Sequence, residues 1–374
     1  MFSHLFRCML LALCLFSSCG KRASQPSQVK VTEGVEYQQM QKNTAPKWSA
    51  HVLRVNPSKV SIQPVKALPG CLGRETVSAI ANRYNALAAV NGGFFEENGT
   101  PAGVLKIWDY WFSDPKRMRG TIGWNHGSCD AHIDRLGMQW VVEMNGQHWP
   151  VHRVNHIRGK KRAIVYNPAF GASTKTNRHG TEIIIEHDHV VDIQHGVGNA
   201  TIPFNGFVYS IAKDADIDLS LVKTGMFAAL HYSCQTPSSN DQKVAWEEFD
   251  FIVGGTPVLV SQGQVNPDFD ADNILHSFIH NRYARTAVGI MPDGTWIVVV
   301  VDGKASPISE GMTIQELADF MHRLGCVKAL NLDGGSSSTM WVKGKVVNTP
   351  GAHWWIFSLP GEPKVSDALV VMPR

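Results

Sequence analysis

Short apolar runs bounded by turn signals fill residues 100–260 and constrain the fold more than any other feature. The clearest runs are "QWVVEM", "RAIVYN", "TEIIIEHDHVVDI" and "FDFIVGGTPVLV", and "MNGQ", "EHDH" and "SQGQ" lie among them as turn signals. Runs of this length, rich in β-branched residues and punctuated in this way, predict β-strands. The alternating stretches "WSAHVLRVNP" and "KVSIQPVKAL" predict further strands nearer the N-terminus. A chain with this pattern has to be organised around β-sheet.

Helical signals occur beside this strand pattern. In "TIQELADFMHRLG" the apolar residues have helical spacing, Thr313 and Glu316 form a capping-box pair, and Gly325 ends the helix. A second helical pattern, "TVSAIANRYNALAAV", runs into "NGGFF", and "ARTAVGIMPDGTWIVVVVDGK" predicts a hairpin at "PDG". We therefore predict an α/β fold, mixed and strand-rich, with a single large domain of mixed β-sheet flanked by helices. No internal repeat is visible, and a division near residues 150–200 is the alternative to a single domain.

Charge and composition argue against a nucleic-acid partner. The chain has 374 residues, 44% of them hydrophobic, which is ample for a large core, and a net charge of +3. Its basic residues are scattered, apart from "HRVNHIRGKKR" at 152–162. A nucleic-acid groove would carry a stronger basic stripe interleaved with aromatic residues, so this cluster is interpreted as a solvated loop.

The N-terminus predicts export. His4 and Arg7 precede an apolar run that is far shorter than the roughly 20 residues of a membrane span, so residues 1–18 are predicted to be a signal peptide. The segment "LFSSC" resembles a lipoprotein cleavage box, which makes Cys19 the candidate lipidated residue, and residues 19–30 would form a polar tether. An ordinary cleaved signal is the alternative. Both interpretations place the domain at 31–374 in the periplasm or at the cell surface, and the lipid would attach it to the membrane.

The remaining cysteines leave the disulfide pattern open. Cys71, Cys129, Cys234 and Cys326 are far apart and lack C-x-x-C spacing, which argues against zinc. One or two disulfides are compatible with an oxidising compartment.

Glycine and polar residues cluster where several predicted strands end. The stretches are "VNGGFF" (90–95), "VGGTPVLV" (253–260), "RTAVGI" (285–290) and "NLDGGSSSTM" (331–340). Glycine lets a ligand approach the backbone closely, and exposed amide groups can bind anions. A structural turn is the alternative for each stretch taken singly.

The last stretch is richer in polar groups than a turn requires. Asn331 and Asp333 alternate and are expected on one face, and several hydroxyl side chains follow them. Such a set suits a polyol or phosphate, whereas an Asx turn is the structural alternative. Arg285 is either a two-pronged clamp for a phosphate or a solvated charge at a strand edge. Asp302 is either a second carboxylate at the mouth of the sheet or the first residue of another Asp-Gly turn.

Motifs of other enzyme classes are absent. The sequence has no Walker loop, no Rossmann fingerprint, no "GxSxG" elbow and no "HExxH". His276 and His280 have i, i+4 spacing, but we predict no metal site for them. No cofactor is predicted, although a divalent cation held by Asp302, Asp333 and a phosphate would be chemically reasonable.

The ordered series "NGGFF", "GGTPVLV", "RTAVGI", "VVDGK", "GMTIQELADFMHRLGC", "NLDGGSSSTM" and "VSDALVV" resembles the phosphodiester glycosidase family. The resemblance extends from "GVEYQQM" (34–40) to "VSDALVVM" (365–372). It implies a glycosidase that removes a sugar such as N-acetylglucosamine from a sugar 1-phosphodiester. The expected target is a glycan or a cell-envelope polymer.

Carried over position by position, the resemblance implies a catalytic group and a substrate-binding group. The catalytic candidates are Asp333, Asp302 and Arg285. The substrate-binding candidates are Asn91, Gly92, Gly255, Thr286, Asn331, Gly334, Gly335, Ser337 and Ser338.

The residue types fit the implied chemistry. The leaving group is a phosphate monoester, so anion stabilisation matters as much as a general acid, and we assign it to Arg285 and the amides of Gly334 and Gly335. Asp333, and after it Asp302, is expected to stabilise an oxocarbenium-like centre or to activate water. Two alternatives remain open: a phosphodiesterase that cuts P–O bonds, and a non-catalytic glycan-binding envelope protein.

Overall fold

The computed structural model describes residues 29–70, 72–237, 244–351, 353–354, 357–358 and 361–374. The predicted signal peptide, Cys19 and Cys71 lie outside the described residues. The tether predicted at 19–30 overlaps the first strand, because Val29 and Lys30 already pair in it. Within the described ranges no helix is long and apolar enough to cross a membrane.

Strands form most of the regular structure. In the first half of the chain they are β1 (Val29–Thr32), β2 (Val35–Lys42), β3 (Trp48–Val55), β4 (Val60–Lys66), β5 (Glu75–Thr76), β6 (Ala88–Asn91), β7 (Leu105–Ile107), β8 (Tyr110–Ser113), β9 (Arg119–Trp124), β10 (Ala131–Met144), β11 (Gln147–Val151), β12 (Arg153–Val154), β13 (Ala163–Tyr166), β14 (Gly180–Glu186) and β15 (His189–His195). In the second half they are β16 (Gly206–Ala212), β17 (Ala228–Gln235), β18 (Phe251–Gly254), β19 (Val258–Ser261), β20 (Gln264–Val265), β21 (Arg285–Ile290), β22 (Trp296–Val301), β23 (Lys328–Asn331), β24 (Met340–Val342), β25 (Lys345–Val346), β26 (His353–Trp354), β27 (Phe357–Ser358), β28 (Lys364–Val365) and β29 (Asp367–Pro373).

Helices are few and short, and the prediction of an α/β fold is wrong. The α-helices of the described residues are α1 (Val77–Arg83), α2 (His276–His280) and α3 (Ile314–Arg323). Single 3-10 turns occur at Pro168–Phe170, Trp246–Glu248, Asp270–Asp272 and Gly335–Ser337. Among the pairings of named strands in the described residues, only β12 with β13 is parallel. The fold is therefore strand-rich and antiparallel, with few helical crossovers of the kind that an α/β sheet needs.

Two sheets form the centre of the molecule. One has the order β1-β2-β3-β22-β21-β23-β19-β20, and the other has the order β25-β24-β6-β29-β4. Their inner faces share one core cluster, to which Val90 and Leu369 contribute from one sheet and Val288 and Leu330 from the other. Burying a side chain of this size contributes about 1.5–3 kcal/mol. Two further sheets, β11-β10-β9-β18-β7-β8 with β17 on β10, and β12-β13-β16-β14-β15, extend from this centre.

The local signals around α3 are confirmed. Thr313 Oγ1 accepts a hydrogen bond from Glu316 N, and the Glu316 carboxylate accepts one from Thr313 N, which completes the capping box. The predicted hairpin at "PDG" is also present, because β21 pairs with β22 along its whole length.

The two central sheets contain an internal repeat that the sequence does not reveal. β6 lies between the hairpin β24–β25 and the pair β29–β4, and β23 lies in the same way between the hairpin β19–β20 and the pair β21–β22. The register is also the same, since Ala368 pairs with Asn91 in one unit and Ala287 pairs with Asn331 in the other. Each central strand follows a helix capped by a threonine, α1 or α3, that covers the outer face of its sheet.

The hairpins of the two units have the same turn. Gln262 and Gly263 both have positive φ, and so do Lys343 and Gly344. Two consecutive residues of positive φ match the right-handed twist of the flanking strands, as two-residue hairpins require. The repeat thus extends to backbone conformation as well as to strand order.

Candidate functional site

Two asparagines end the central strands of the repeated units. Asn91 is the last residue of β6 and Asn331 is the last residue of β23, and both are buried. Asn91 N donates to Thr339 O at 3.3 Å, and Asn331 N donates to Pro257 O at 3.1 Å. Thr339 and Pro257 therefore occupy equivalent places.

The asparagine side chains differ in how their oxygen atoms are satisfied. Asn91 Oδ1 accepts hydrogen bonds from Thr286 Oγ1 at 2.8 Å and from Thr339 N at 3.1 Å. Asn331 Oδ1 is buried and has no hydrogen-bond partner among the described residues. The equivalent of Thr339 is Pro257, which has no N–H, and by register the equivalent of Thr286 is Asp367. The repeat is therefore broken at the site.

Asp333 follows β23 and is held by its own loop. Gly334 N donates to Asp333 Oδ1 at 2.9 Å, and Asp333 N donates to Gly92 O at 3.3 Å. Burial raises the pKa of Asp333 to about 7, and the charge of Asp367 adds to this, although hydrogen bonds from Ser337 and Gly334 oppose it. A carboxyl group that titrates near neutral pH is suited to proton transfer or to charge stabilisation.

Asp367, which the sequence analysis did not select, lies in the same site. Its carboxylate accepts hydrogen bonds from the Ser366 hydroxyl and from Gly93 N, the latter at 3.0 Å. A Cβ atom at Gly92 would lie 1.8 Å from Asp367 Oδ2, so only glycine fits at that position. Burial raises the pKa of Asp367, and the charge of Lys66 opposes that shift. The signal that would have found Asp367 is the repeat, in which it occupies the place of Thr286.

Lys66 lies opposite Asp367 across the antiparallel pair of β4 and β29. The side chain is buried, and Lys66 Nζ also donates to Gly99 O at 3.2 Å. Gly99 belongs to the turn 94–102, in which Glu96 N donates to Thr100 O and Ala102 N donates to Phe94 O. One ammonium group therefore connects the buried carboxylate to the loop that follows Gly93.

The structure corrects the role predicted for Arg285. Its side chain is fully buried, its Nε donates to Met312 O at 2.9 Å, and its Nη2 donates to Phe278 O and Asn281 O. The guanidinium also lies 4.8 Å from the ring centre of Phe278, and burial lowers the pKa of Arg285 to about 10. Only Nη1 lacks a partner among the described residues, so a two-pronged clamp on a phosphate is not available.

The carboxylate of Asp302 also has hydrogen-bond partners outside the group around Asp333. Its Oδ2 lies 3.2 Å from His51 Nε2, whose Nδ1 in turn lies 2.8 Å from the Tyr37 hydroxyl. Asp302 Oδ1 accepts a hydrogen bond from Thr349 N at 2.7 Å. The carboxylate that acts on the pKa of Asp333 is Asp367 and not Asp302. Asp302 thus anchors the loop after β25 through a buried polar chain.

The amides predicted to stabilise an anion are already engaged. Gly334 N donates to the Asp333 carboxylate, and Gly335 N donates to Ala284 O at 2.8 Å. Gly255 has a packing role, because a Cβ atom there would lie 2.3 Å from Asn331 O. These amides would have to exchange partners before they could bind a substrate oxygen.

The hydroxyl residues are brought together as a buried group. Thr286 Oγ1 donates to Asn91 Oδ1 and lies 3.2 Å from Ser338 Oγ, whose hydroxyl can donate to it, and Ser337 hydrogen-bonds Asp333. The described structure therefore gathers most of the predicted substrate-binding residues around Asp333 and adds Asp367 and Lys66 to them.

Metal and disulfide chemistry receive no support from side-chain groupings in the described ranges. No group of three or more His, Cys, Asp and Glu side chains there is arranged to hold a metal ion. The rings of His276 and His280 lie with their centres 4.0 Å apart and their planes tilted by 38°. Cys129, Cys234 and Cys326 carry free thiols.

Comparisons with known proteins agree on one family. The family model described as phosphodiester glycosidase matches residues 179–372, which include Asp333 and Asp367 but not Asn91. An uncharacterised protein of Rickettsia conorii is 26% identical over 231 residues, covering 60% of this chain and 77% of that protein. The mouse N-acetylglucosamine-1-phosphodiester alpha-N-acetylglucosaminidase is 36% identical over 76 residues, covering 20% of this chain but only 14% of the enzyme.

The fold has a counterpart in a solved structure. The crystal structure of a hypothetical protein from Synechocystis superposes with a TM-score of 0.80 at 24% sequence identity. The superposition covers 94% of this chain and 64% of that chain. This similarity supports the fold over nearly the whole sequence, including the strands before residue 179.

Proposed function

The chain belongs to the phosphodiester glycosidase family, and from that premise we propose that it hydrolyses the glycosidic bond of a sugar 1-phosphodiester. The proposed sugar is N-acetylglucosamine or a close analogue. The observation that carries the proposal is the coupled pair Asp333 and Asp367, which lies at the strand ends where the internal repeat is broken.

Asp333 is the proposed catalytic carboxylate. It is more accessible than Asp367, which is only 2% exposed, and its raised pKa makes both protonation states available near neutral pH. In its ionised form Asp333 would stabilise positive charge at the anomeric carbon or accept a proton from the attacking water. The C–O bond breaks, its electron pair leaves with the phosphate oxygen, and water supplies the new hydroxyl of the sugar.

Asp367 is proposed to act through Asp333. It is buried behind Gly92 and Gly93, so it does not reach the substrate, but its charge adds to the effect of burial in raising the pKa of Asp333. We call Asp367 a positioning residue, and Lys66 compensates its charge.

Export and membrane attachment remain part of the proposal. The support is the sequence of residues 1–19 alone, which would place a lipid on Cys19 and the domain in the periplasm or at the cell surface, facing a glycan or envelope polymer. Metabolic labelling with a fatty acid tests this, since Cys19→Ala should lose the label and wild type should carry it.

Turnover of a panel of α-linked sugar 1-phosphodiesters tests the proposed activity. Wild type should release free sugar and a phosphate monoester, and Asp333→Asn should reduce kcat by at least about 100-fold. The matched control is Asp130→Asn, an exposed aspartate away from the site. Full activity of Asp333→Asn would remove this site from the proposal, and no turnover by wild type on any member would favour a binding protein.

A further inference from the structure

A cleft of about 400 Å³ lies beside the turn 94–102 that follows the candidate site. Part of its wall comes from the basic segment 152–162, which the sequence suggested was a solvated loop. Gly93 and Glu96 are three residues apart, so their Cα atoms are separated by at most about 11 Å. The cleft therefore begins within about 11 Å of Gly93, on the loop that leaves the candidate site.

The floor of the cleft is a fixed polar unit. Arg153 Nε donates to Asp114 Oδ1 at 3.0 Å and Arg153 Nη2 donates to Asp114 O at 2.9 Å, while Val154 N donates to the same carboxylate. Arg153 Nη2 also donates to His156 Nε2. Burial, with the charge of Arg153, lowers the pKa of His156 to about 3, so this imidazole is neutral. Arg153 is thus held in one orientation before any ligand arrives.

The rim carries two cations without hydrogen-bond partners. Lys116 and Arg162 line the cleft and are exposed, and neither side chain makes a hydrogen bond or ion pair within the described residues. Glu96 and Asn98 line the same cleft from the turn, and Asn98 Oδ1 accepts a hydrogen bond from Thr100 N at 2.9 Å. Two cationic groups, a carboxylate and a carboxamide therefore line one space that fits a small ligand.

Thr100 supplies an independent indication of a ligand. The residue belongs to the lining of the cleft but is only 2% exposed, and its buried hydroxyl has no partner among the described residues. A buried hydroxyl without a partner costs free energy, which a ligand oxygen would recover. Its neighbour Gly99 is held by Lys66, so this hydroxyl is positioned from the site side as well.

We propose that this cleft binds a phosphorylated sugar or polyol. The phosphate contacts Lys116 and Arg162 and accepts a hydrogen bond from the Thr100 hydroxyl, and the polyol hydroxyls donate to Glu96 and Asn98. Resting on the proposed function, we assign this ligand as the unit next to the phosphodiester that is cleaved. The preferred substrate then carries a second phosphate, and a nucleic acid or a protein surface is not required to explain the basic segment.

Binding is tested without turnover, with His152 as a local reporter. This imidazole lines the cleft, and burial and the charge of Arg162 lower its pKa. Glycerol 3-phosphate should raise the pKa of His152 in an NMR titration, because the phosphate neutralises Arg162 and attracts a proton. Inorganic phosphate should do so more weakly, and glycerol should have no effect.

Charge-matched variants make the binding test specific. The double variant Lys116→Ala/Arg162→Ala should weaken glycerol 3-phosphate binding about tenfold, since each exposed pair contributes a modest amount. Lys160→Ala/Lys223→Ala removes the same charge outside the cleft and should bind as wild type. Thr100→Val should weaken binding without loss of stability. An unchanged His152 titration in wild type, or equal weakening in both double variants, would overturn the proposal.

A turnover comparison distinguishes the source of the phosphate. Two substrates are compared, one with only the phosphodiester and one that carries an additional phosphate on the neighbouring unit. Lys116→Ala/Arg162→Ala should raise KM about tenfold for the substrate with the additional phosphate only, and kcat should not change. If glycerol 3-phosphate raises the pKa of His152 but the variant has no effect on KM, the cleft binds a free phosphate ester. That result would overturn the assignment of the ligand to the substrate. If the proposed activity itself is absent, the His152 titration still decides whether the cleft binds a phosphate.

Discussion

Burial raises the pKa of Asp333 and the charge of Asp367 raises it further, so the two carboxyl groups of the site interact electrostatically. Asp333 is the accessible member, and Asp367 is buried behind two glycines of the neighbouring strand end. Sugar 1-phosphodiester hydrolysis by the ionised form of Asp333 would therefore depend on a residue that the substrate does not touch.

The pH profile should report the coupling. Because Asp333 acts ionised, kcat/KM should rise with pH and pass its midpoint near the pKa of about 7. Asp367→Asn removes a negative charge, which makes ionisation of Asp333 easier, so the midpoint should move to lower pH. A merely structural role for Asp367 would lower activity at all pH values and leave the midpoint of the profile where it was. The control Asp130→Asn should change neither the activity nor the midpoint.

Stability should depend on pH in the opposite sense from an ordinary salt-bridged carboxyl. The folded pKa of Asp333 is above its unfolded value of 3.8, so the folded state binds more protons between pH 4 and about 7 and its stability falls as pH rises through that window. Asp333→Asn cannot ionise and should have a higher Tm than wild type at pH 8. At pH 5 the difference should be small. Thermal unfolding at both pH values checks this, and a lower Tm for the variant at pH 8 would contradict it.

Lys66 and Asp367 should behave as a buried charge pair. Lys66→Met leaves a buried carboxylate uncompensated and should lower the free energy of unfolding by about 3 kcal/mol. Adding Asp367→Asn to Lys66→Met should recover most of that loss, because the orphaned charge is then absent. Denaturant unfolding of the four proteins measures the coupling, and additive losses would show that the two side chains are independent.

Arg285 should contribute mainly to stability. Arg285→Gln gives up hydrogen bonds to three backbone carbonyls in the interior and should cost about 2–4 kcal/mol of unfolding free energy. The control is Arg282→Gln, which breaks a more exposed pair with Glu316 and should cost less than about 1 kcal/mol. Equal losses in the two variants, measured in denaturant, would refute the buried role given to Arg285.

Local signals in the sequence predicted local structure well. The capping box of Thr313 and Glu316 and the turn at "PDG" depend on contacts a few residues apart, and both are present. Fold class depended on which strands pair and in which direction, and these pairings join residues such as Ala368 and Asn91 that are far apart in the sequence. Two clear helices were therefore given too much weight.

The sequence predicted the site residues that are polar and lie near a strand end. It did not predict the direction in which a side chain points, and that direction decides the role of Arg285. Asn91, Thr286 and Ser338 stand at strand ends and meet in one hydrogen-bonded group. Arg285 was predicted to bind an anion, but its guanidinium donates hydrogen bonds to backbone carbonyls such as Met312 O and Asn281 O. The sequence does not show that the fold directs these carbonyls toward Arg285. A lone aspartate in "VSDALVV" carries no signal until the matching register of Thr286 is known.

Hydrolysis of an α-N-acetylglucosamine 1-phosphodiester in oxygen-18 water tests the central claim most directly. Mass spectrometry of the products at early times locates the label, and free sugar incubated alongside corrects for exchange at the anomeric position. Cleavage of the C–O bond predicts label in the sugar hydroxyl and an unlabelled phosphate monoester. Label in the phosphate would show P–O cleavage and would contradict the assignment of this chain as a glycosidase.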